Sequence, residues 1–242
     1  MKYDFCKFKN SSAEKAELFF YGDIVSESWY AWTPEDQYPL NVKELLADIG
    51  DKDVDIHINS GGGDVFAGFA IHNMLRNTKG KKTVYIDGNA ASIASVIAMA
   101  GDEIVMPENA FIMIHRASSA VWGNAEDMKK LADTLEKIDA GIVASYMRNA
   151  VEGVTAEDFE EMMAEETWLN STDAKKYFKN IKTVEPVAAA ASIDSKFVGS
   201  YKNMPDLKRV TDAIGKPSNA NIPPELQEYA NFSAALKIGY DL

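Results

Sequence analysis

What most constrains this chain is a repeated exchange of one hydrophobic period for another. Val54, Ile56 and Ile58 alternate with Asp55, His57 and Asn59, the mark of a strand. The alternation stops at Asn59-Ser60-Gly61-Gly62-Gly63, and beyond it Phe66/Ala70/Met74 and Ala67/Ile71/Leu75 recur at helical spacing. AELFFYG (16–22) predicts an earlier strand, and NVKELLADIG (41–50) a short helix stopped by Gly50. Further along, Thr83–Asp87 reads as a strand, Gly88-Asn89 as a turn and Ala91–Ala100 as a helix. Ile104–Met106 and Phe111–Ile114 read as two more strands. Strands that alternate with helices need crossover connections, so the sheet is parallel and the fold class is α/β.

Asn124, with Asp127 three residues on, predicts the capped start of a long helix whose stripe runs Met128, Leu131, Leu135, Ile138, Ile142, Tyr146. So narrow a stripe fits either core packing or a seam against another helix. Thr155 with Asp158 reads as a capping box, and Ser171 or Thr172 as the cap of a shorter helix. From Pro186 the periodicity fades into an alanine run and scattered prolines, with a short helix at Glu225–Phe232. The chain thus divides into a folded unit, 1–185, and a C-terminal extension, 186–242, partly flexible.

The formal charge of −12 lies wholly within residues 1–186 and argues against nucleic acid as a partner. No apolar run is long enough to span a bilayer, and MKYDFCKFKN lacks the apolar core of a secretory signal, so a cytoplasmic protein is expected. A single cysteine, Cys6, forms no internal disulfide, and three dispersed histidines without an HExxH pair offer no metal site.

The glycine loop INSGGGDVFAG exposes backbone N–H groups at a strand-to-helix turn. It is not a phosphate loop, because Gly68 is followed by Phe69-Ala70 rather than Lys and a hydroxyl residue. Ser92 stands at the next strand-to-helix junction, among Gly88, Ala90, Ala91 and Ala94, where N–H groups can stabilise developing negative charge. A serine before a helix is far more commonly a helix cap. Ser95, one turn on, is the weaker nucleophile candidate and points into the helix packing. A serine nucleophile needs a base. His57 lies on the polar side of its strand and His72 opposite the apolar rows of its helix, both read as surface positions. His115 closes the apolar strand Phe111–Ile114 and suits the edge of a cleft.

Taken in order, INSGGGDVFAG, DGNAASIASVIAMAG, MPENAFIMIH and ETWLNSTDAKKYF resemble the proteolytic subunit of the Clp protease family, over residues 16–185. VFAGFAIHNML, ASVIAMAGDEIVMPENA, VWGNAED and MMAEETW are most similar to its phage branch, the head maturation proteases. The resemblance implies a Clp/crotonase-like spiral of ββα units with a long protruding helix, and a serine endopeptidase that needs no metal or organic cofactor. It implies Ser92 as nucleophile, His115 as general base, and the N–H groups of Gly63 and Ile93 as oxyanion hole. The small neighbours would then leave room for substrate, and a peptide would bind as an added strand along Gly62, Gly63 and Asp64. The position of the family's acid, usually aspartate, is held by Glu166, with Glu165 an adjacent competitor. The resemblance also implies a heptameric or stacked ring joined through the long helix, protein or peptide substrates, and an ATPase or a capsid or scaffold partner.

Gly61 departs from the family by replacing a proline, and the extension has no counterpart in the housekeeping subunit. The extension is either a tether or partner-binding arm, trimmed near VAAAAS (187–192), or a tail folded back over a subunit. Two rival functions share the pattern: a crotonase-like acyl-CoA enzyme, and a catalytically silent ring component.

Overall fold

A computed structural model of the chain describes residues 15–185 and 201–205. Its strands are β1 (Lys15–Phe20), β2 (Asp53–Ser60), β3 (Lys82–Ala91), β4 (Glu103–Pro107), β5 (Phe111–Ile114), β6 (Thr167–Asn170) and β7 (Ile181–Val184). Its helices are α1 (Pro39–Ile49), α2 (Val65–Asn77), α3 (Ile93–Ala98), α4 (Ala125–Met147), α5 (Ala156–Ala164) and α6 (Ser171–Tyr177). The sheet runs β1-β2-β3-β4-β7, all parallel, while β5 joins β3 and β6 runs antiparallel on β5. This is the α/β class that the alternation predicts.

β3 forks. Thr83–Tyr85 pair with β4, and Asn89–Ala91 pair with β5. The turn expected at Gly88-Asn89 does not form, and the chain stays extended to Ala91. In its place the β2–β3 register shifts between Ile58 and Ser60, a bulge rather than a reversal. The Asn59 Oδ1 accepts from the Asn89 amide at 3.2 Å, and the Asn89 Nδ2 donates to the Ser60 carbonyl at 3.2 Å. These side chains satisfy backbone groups that the shifted ladder leaves unpaired, so the strand can continue.

Helix α3 is central, and all six of its residues are buried. Part of its small-residue content therefore serves close helix packing. Gly68 on α2 lies so near that a Cβ there would meet the Ile93 Cγ1 at 2.1 Å. This contact sets which side of α2 turns inward. Ala67, Gly68, Ile71, His72 and Leu75 are buried, while Phe66 is exposed. The surface position expected for His72 is thereby corrected. Its Nδ1 donates to the Val96 carbonyl at 2.7 Å, and burial pushes its pKa down to about 4, so the ring stays neutral.

Helix α4 carries the expected capping box, with the Asn124 side chain on Glu126 and Asp127 amides and Asp127 returning to Asn124. Its stripe divides in two: Ile142, Val143 and Tyr146 are buried in the core, and Met128 is exposed. Nothing before Ile142 on this helix is buried, so its first half projects from the body. The Thr155 box forms on α5. The cap of α6 is Asn170, which accepts from the Asp173 amide, and not Ser171 or Thr172, which lie inside the first turn. Among the described residues no helix is long and apolar enough to cross a membrane. VAAAAS and the helix expected at Glu225–Phe232 lie outside the described residues.

Candidate active site

β3 delivers Ser92 to the centre of the sheet's C-terminal edge. The Ser92 amide donates to the Met113 carbonyl at 2.9 Å, tying the junction to β5. Its backbone has a positive φ of 54°, with ψ −128°. Among the described residues only Ser92 and Glu166 (φ 51°) combine a side chain with positive φ. Such strain costs about 1–3 kcal/mol and concentrates at working sites. The Ser92 hydroxyl makes no cap bond to α3. Instead its Oγ lies 2.7 Å from the His115 Nε2.

His115 stands one residue beyond β5, half-buried. Burial pushes its pKa below the ordinary value, with Glu166 and then Asp139 opposing. A neutral imidazole at neutral pH can accept the serine proton on Nε2, with Nδ1 carrying the ring proton. Asp139, on α4, holds the start of the following loop by accepting from the Ala117 amide at 2.8 Å.

The β5–β6 ladder pairs Ile114 with Thr167, so the flanking residues His115 and Glu166 come side by side. Of the charges acting on His115, Glu166 is the strongest, yet no hydrogen bond joins the two among the described residues. The Glu166 Oε2 accepts from the Lys202 amide at 2.9 Å and its Oε1 from the Asn203 amide at 2.7 Å. Burial pushes the carboxyl up, but these two N–H groups, with the Trp168 Nε1 and His115, hold it below the usual range. Glu165 is exposed and closes α5 as its C-cap.

The glycine loop packs directly on this junction. Gly62 has φ 96°, and a Cβ there would sit 2.7 Å from the Ser92 Cβ and 2.8 Å from the Ala91 carbonyl. Gly63 has φ 146°, and a Cβ would strike the Ile24 carbonyl at 2.0 Å. Ile24 holds one edge of the loop: its amide donates to the Gly62 carbonyl at 2.8 Å, and its carbonyl accepts from Asp64 at 2.7 Å. Within the described residues the Gly63 and Ile93 amides donate to nothing, which leaves two free N–H groups beside Ser92. The Asp64 carboxylate caps α2 by accepting from the Ala67 amide at 2.8 Å.

The remaining candidates go elsewhere. Ser95 is fully buried and bonds the Ser92 carbonyl and the Tyr146 hydroxyl. His57 is not a plain surface residue. It stacks between Phe19 and Tyr85, at 4.9 and 4.8 Å, with Nδ1 2.7 Å from the Asp87 carboxylate. Sequence reasoning missed Tyr201, Trp168 and Asp139. Trp168, within ETWLNST, carried a signal as a large side chain two residues from Glu166. Tyr201 carried none, because its segment has no periodicity.

The family model described as Clp protease matches residues 40–178. The chain is 33% identical over 151 residues to the ATP-dependent Clp protease proteolytic subunit 3 of Streptomyces avermitilis, covering 60% of this chain and 66% of that one. It is 30% identical over 130 residues to the ATP-dependent Clp protease proteolytic subunit of Deinococcus radiodurans, covering 52% and 62%. Subunit 1 of the same protease from Streptomyces coelicolor is 30% identical over 139 residues, covering 55% and 61%. The chain spans less than two thirds of the length of each of these relatives.

Proposed function

Since this chain belongs to the Clp protease family, we propose that it is a serine endopeptidase acting through Ser92, His115 and Glu166. The observation that carries the reading is the 2.7 Å approach of the Ser92 Oγ to the His115 Nε2 at a strained strand-to-helix junction. His115 takes the Ser92 proton as the Oγ attacks the scissile carbonyl. The resulting oxyanion receives the free N–H groups of Gly63 and Ile93. His115 then returns the proton to the departing amine, and a water deprotonated by the same ring hydrolyses the acyl-enzyme. Glu166 stabilises the imidazolium that forms in each half-reaction. The substrate peptide lies along Gly62 and Gly63, while Asp64 supports them by capping α2.

The peptidase unit spans 1–185, and 186–242 is an extension. Subunits join in rings through the projecting half of α4, whose Leu131 and Leu135 are only partly covered within one chain. The stretches VFAGFAIHNML and VWGNAED support a phage head maturation role, with a capsid or scaffold partner. The names of the relatives support an ATPase partner instead.

Incubation with a fluorophosphonate followed by intact mass tests the nucleophile. One adduct on wild type and none on Ser92→Ala is the expected result. Labelling of Ser92→Ala, or a label mapped to Ser95, overturns the assignment.

A further inference from the structure

Three consecutive residues of the extension, Tyr201–Asn203, lie between the glycine loop and the Glu166 turn. The Tyr201 hydroxyl donates to the Gly61 carbonyl. The Tyr201 ring meets the His115 ring edge-on, with centroids 5.5 Å apart at 82°, and the Trp168 ring at 5.9 Å and 75°. The next two amides are the donors to the Glu166 carboxylate, and the Asn203 Nδ2 donates to the Glu165 carbonyl at 2.6 Å. Burial pushes the Tyr201 phenol up, with the neighbouring Ser92 hydroxyl pulling the other way. Tyr201 is half-buried although Lys202 and Asn203 are exposed.

We propose that Gly61, His115 and Trp168 form a subsite for an aromatic side chain, and that Tyr201 fills it in cis, so that the chain covers its own nucleophile. The covering of a nucleophile rests on the peptidase reading of Ser92 and His115; the subsite itself does not. Two rings set edge-on to a third are the arrangement that aromatic quadrupoles favour. The phenol needs an acceptor where water is excluded, and the Gly61 carbonyl provides it. The neighbouring Gly62 carbonyl is already taken by the Ile24 amide. Beyond the ring, the site recognises main chain: the Glu166 carboxylate accepts two successive N–H groups. Its ligand is therefore a peptide with Tyr, or less tightly Phe, followed by two residues that are not proline. While the strap is in place, the two Glu166 oxygens face its amides rather than the His115 Nδ1. Departure of the strap frees both the subsite and the acid.

The full-length Ser92→Ala protein, with and without Tyr201→Ala, is titrated against a fluorescent acetyl-Tyr-Lys-Asn-Met-amide peptide and followed by anisotropy. The peptide binds the strap-opened double variant roughly tenfold tighter or more than Ser92→Ala alone, given the ring contacts and hydrogen bond that Tyr201 otherwise occupies. Exchanging the peptide's Tyr for Ala, or its Lys for Pro, weakens that binding. In the Ser92 background, Tyr201→Ala reacts with fluorophosphonate roughly tenfold faster than wild type, and Tyr201→Phe falls between. Equal binding to both Ser92→Ala proteins, or no dependence on the peptide's Tyr, overturns the subsite. Equal labelling rates overturn the self-covering and leave the peptidase reading intact. Peptide binding confined to the opened variant, with no labelling of any protein, upholds the subsite and removes the peptidase reading.

Discussion

Ser95→Ala and Tyr146→Phe should behave as a coupled pair whose sign reverses with background. Ser95 and Tyr146 are buried at 0% and 1% exposure. The Tyr146 hydroxyl lies 2.7 Å from the Ser95 Oγ, which itself donates to the Ser92 carbonyl. Removing the serine hydroxyl deletes one donor to that carbonyl and strands a buried phenol, a loss of about 1–3 kcal/mol. The Ser92 carbonyl keeps a second donor, the Ser95 amide at 3.0 Å, so the junction survives. Tyr146→Phe alone removes one hydrogen bond without stranding a donor and should cost about 1 kcal/mol. In the Ser95→Ala background the same change deletes the stranded hydroxyl and should be neutral or stabilising. The coupling is then about 1–2 kcal/mol, read from urea unfolding of all four proteins at one fixed concentration. All four should still take up fluorophosphonate at Ser92. Additive losses, or a Ser95→Ala protein that folds normally but no longer labels, would refute this account of Ser95 as support.

The proposed mechanism requires neutral His115, whose pKa burial holds below the ordinary value of 6.5 despite Glu166 and Asp139 opposing. The acid limb of the pH–rate profile should therefore lie below 6.5, with activity lost as pH falls through it. Glu166→Gln should lower turnover and move that limb lower still, while Glu165→Gln does neither; a limb above 6.5 contradicts the geometry. Gly62→Ala combines a positive φ, about 1–2 kcal/mol for an L-residue, with a Cβ 2.7 Å from that of Ser92. Displacing the Ser92 hydroxyl in this way should slow labelling by about 10²-fold, measured as the rate of adduct formation. Leu131→Lys with Leu135→Lys should yield smaller particles by light scattering, and an unchanged particle size would count against assembly through the projecting half of α4.

The alternation of β2 and the rows of α2 were legible because burial on one face imposes a period that local sequence must obey. Which row of α2 faced inward was not. Gly68 decides it by admitting Ile93 and turning His72 into the core, a tertiary contact with no local trace. The Gly88-Asn89 turn was misread because turn residues also serve bulges, and the deciding partner, Asn59, sits on another strand. At the candidate site, Ser92, His115 and the glycine loop could be named from ordered motifs. The local surroundings that put Ser92 at a strained junction were visible only as small side chains. The Tyr201 strap crosses 140 residues of sequence to reach Gly61, and nothing in its composition announces such a contact.

The forked strand has a mechanical consequence. Ser92 hangs from the end of β3, whereas His115 and Glu166 both extend from the β5–β6 ladder and ride on it together. Backbone hydrogen bonds join that ladder to β3 through the pairings of Asn89–Ala91 and the Ser92-to-Met113 link, and its Ile112, Ile114 and Leu169 side chains pack in the core. Mutation that opens the sheet there would draw His115 away from Ser92 while leaving it beside Glu166. The proposed triad would thus part between Ser92 and His115, its proton donor and acceptor. The spacing of His115 and Glu166 would outlast the proposed site.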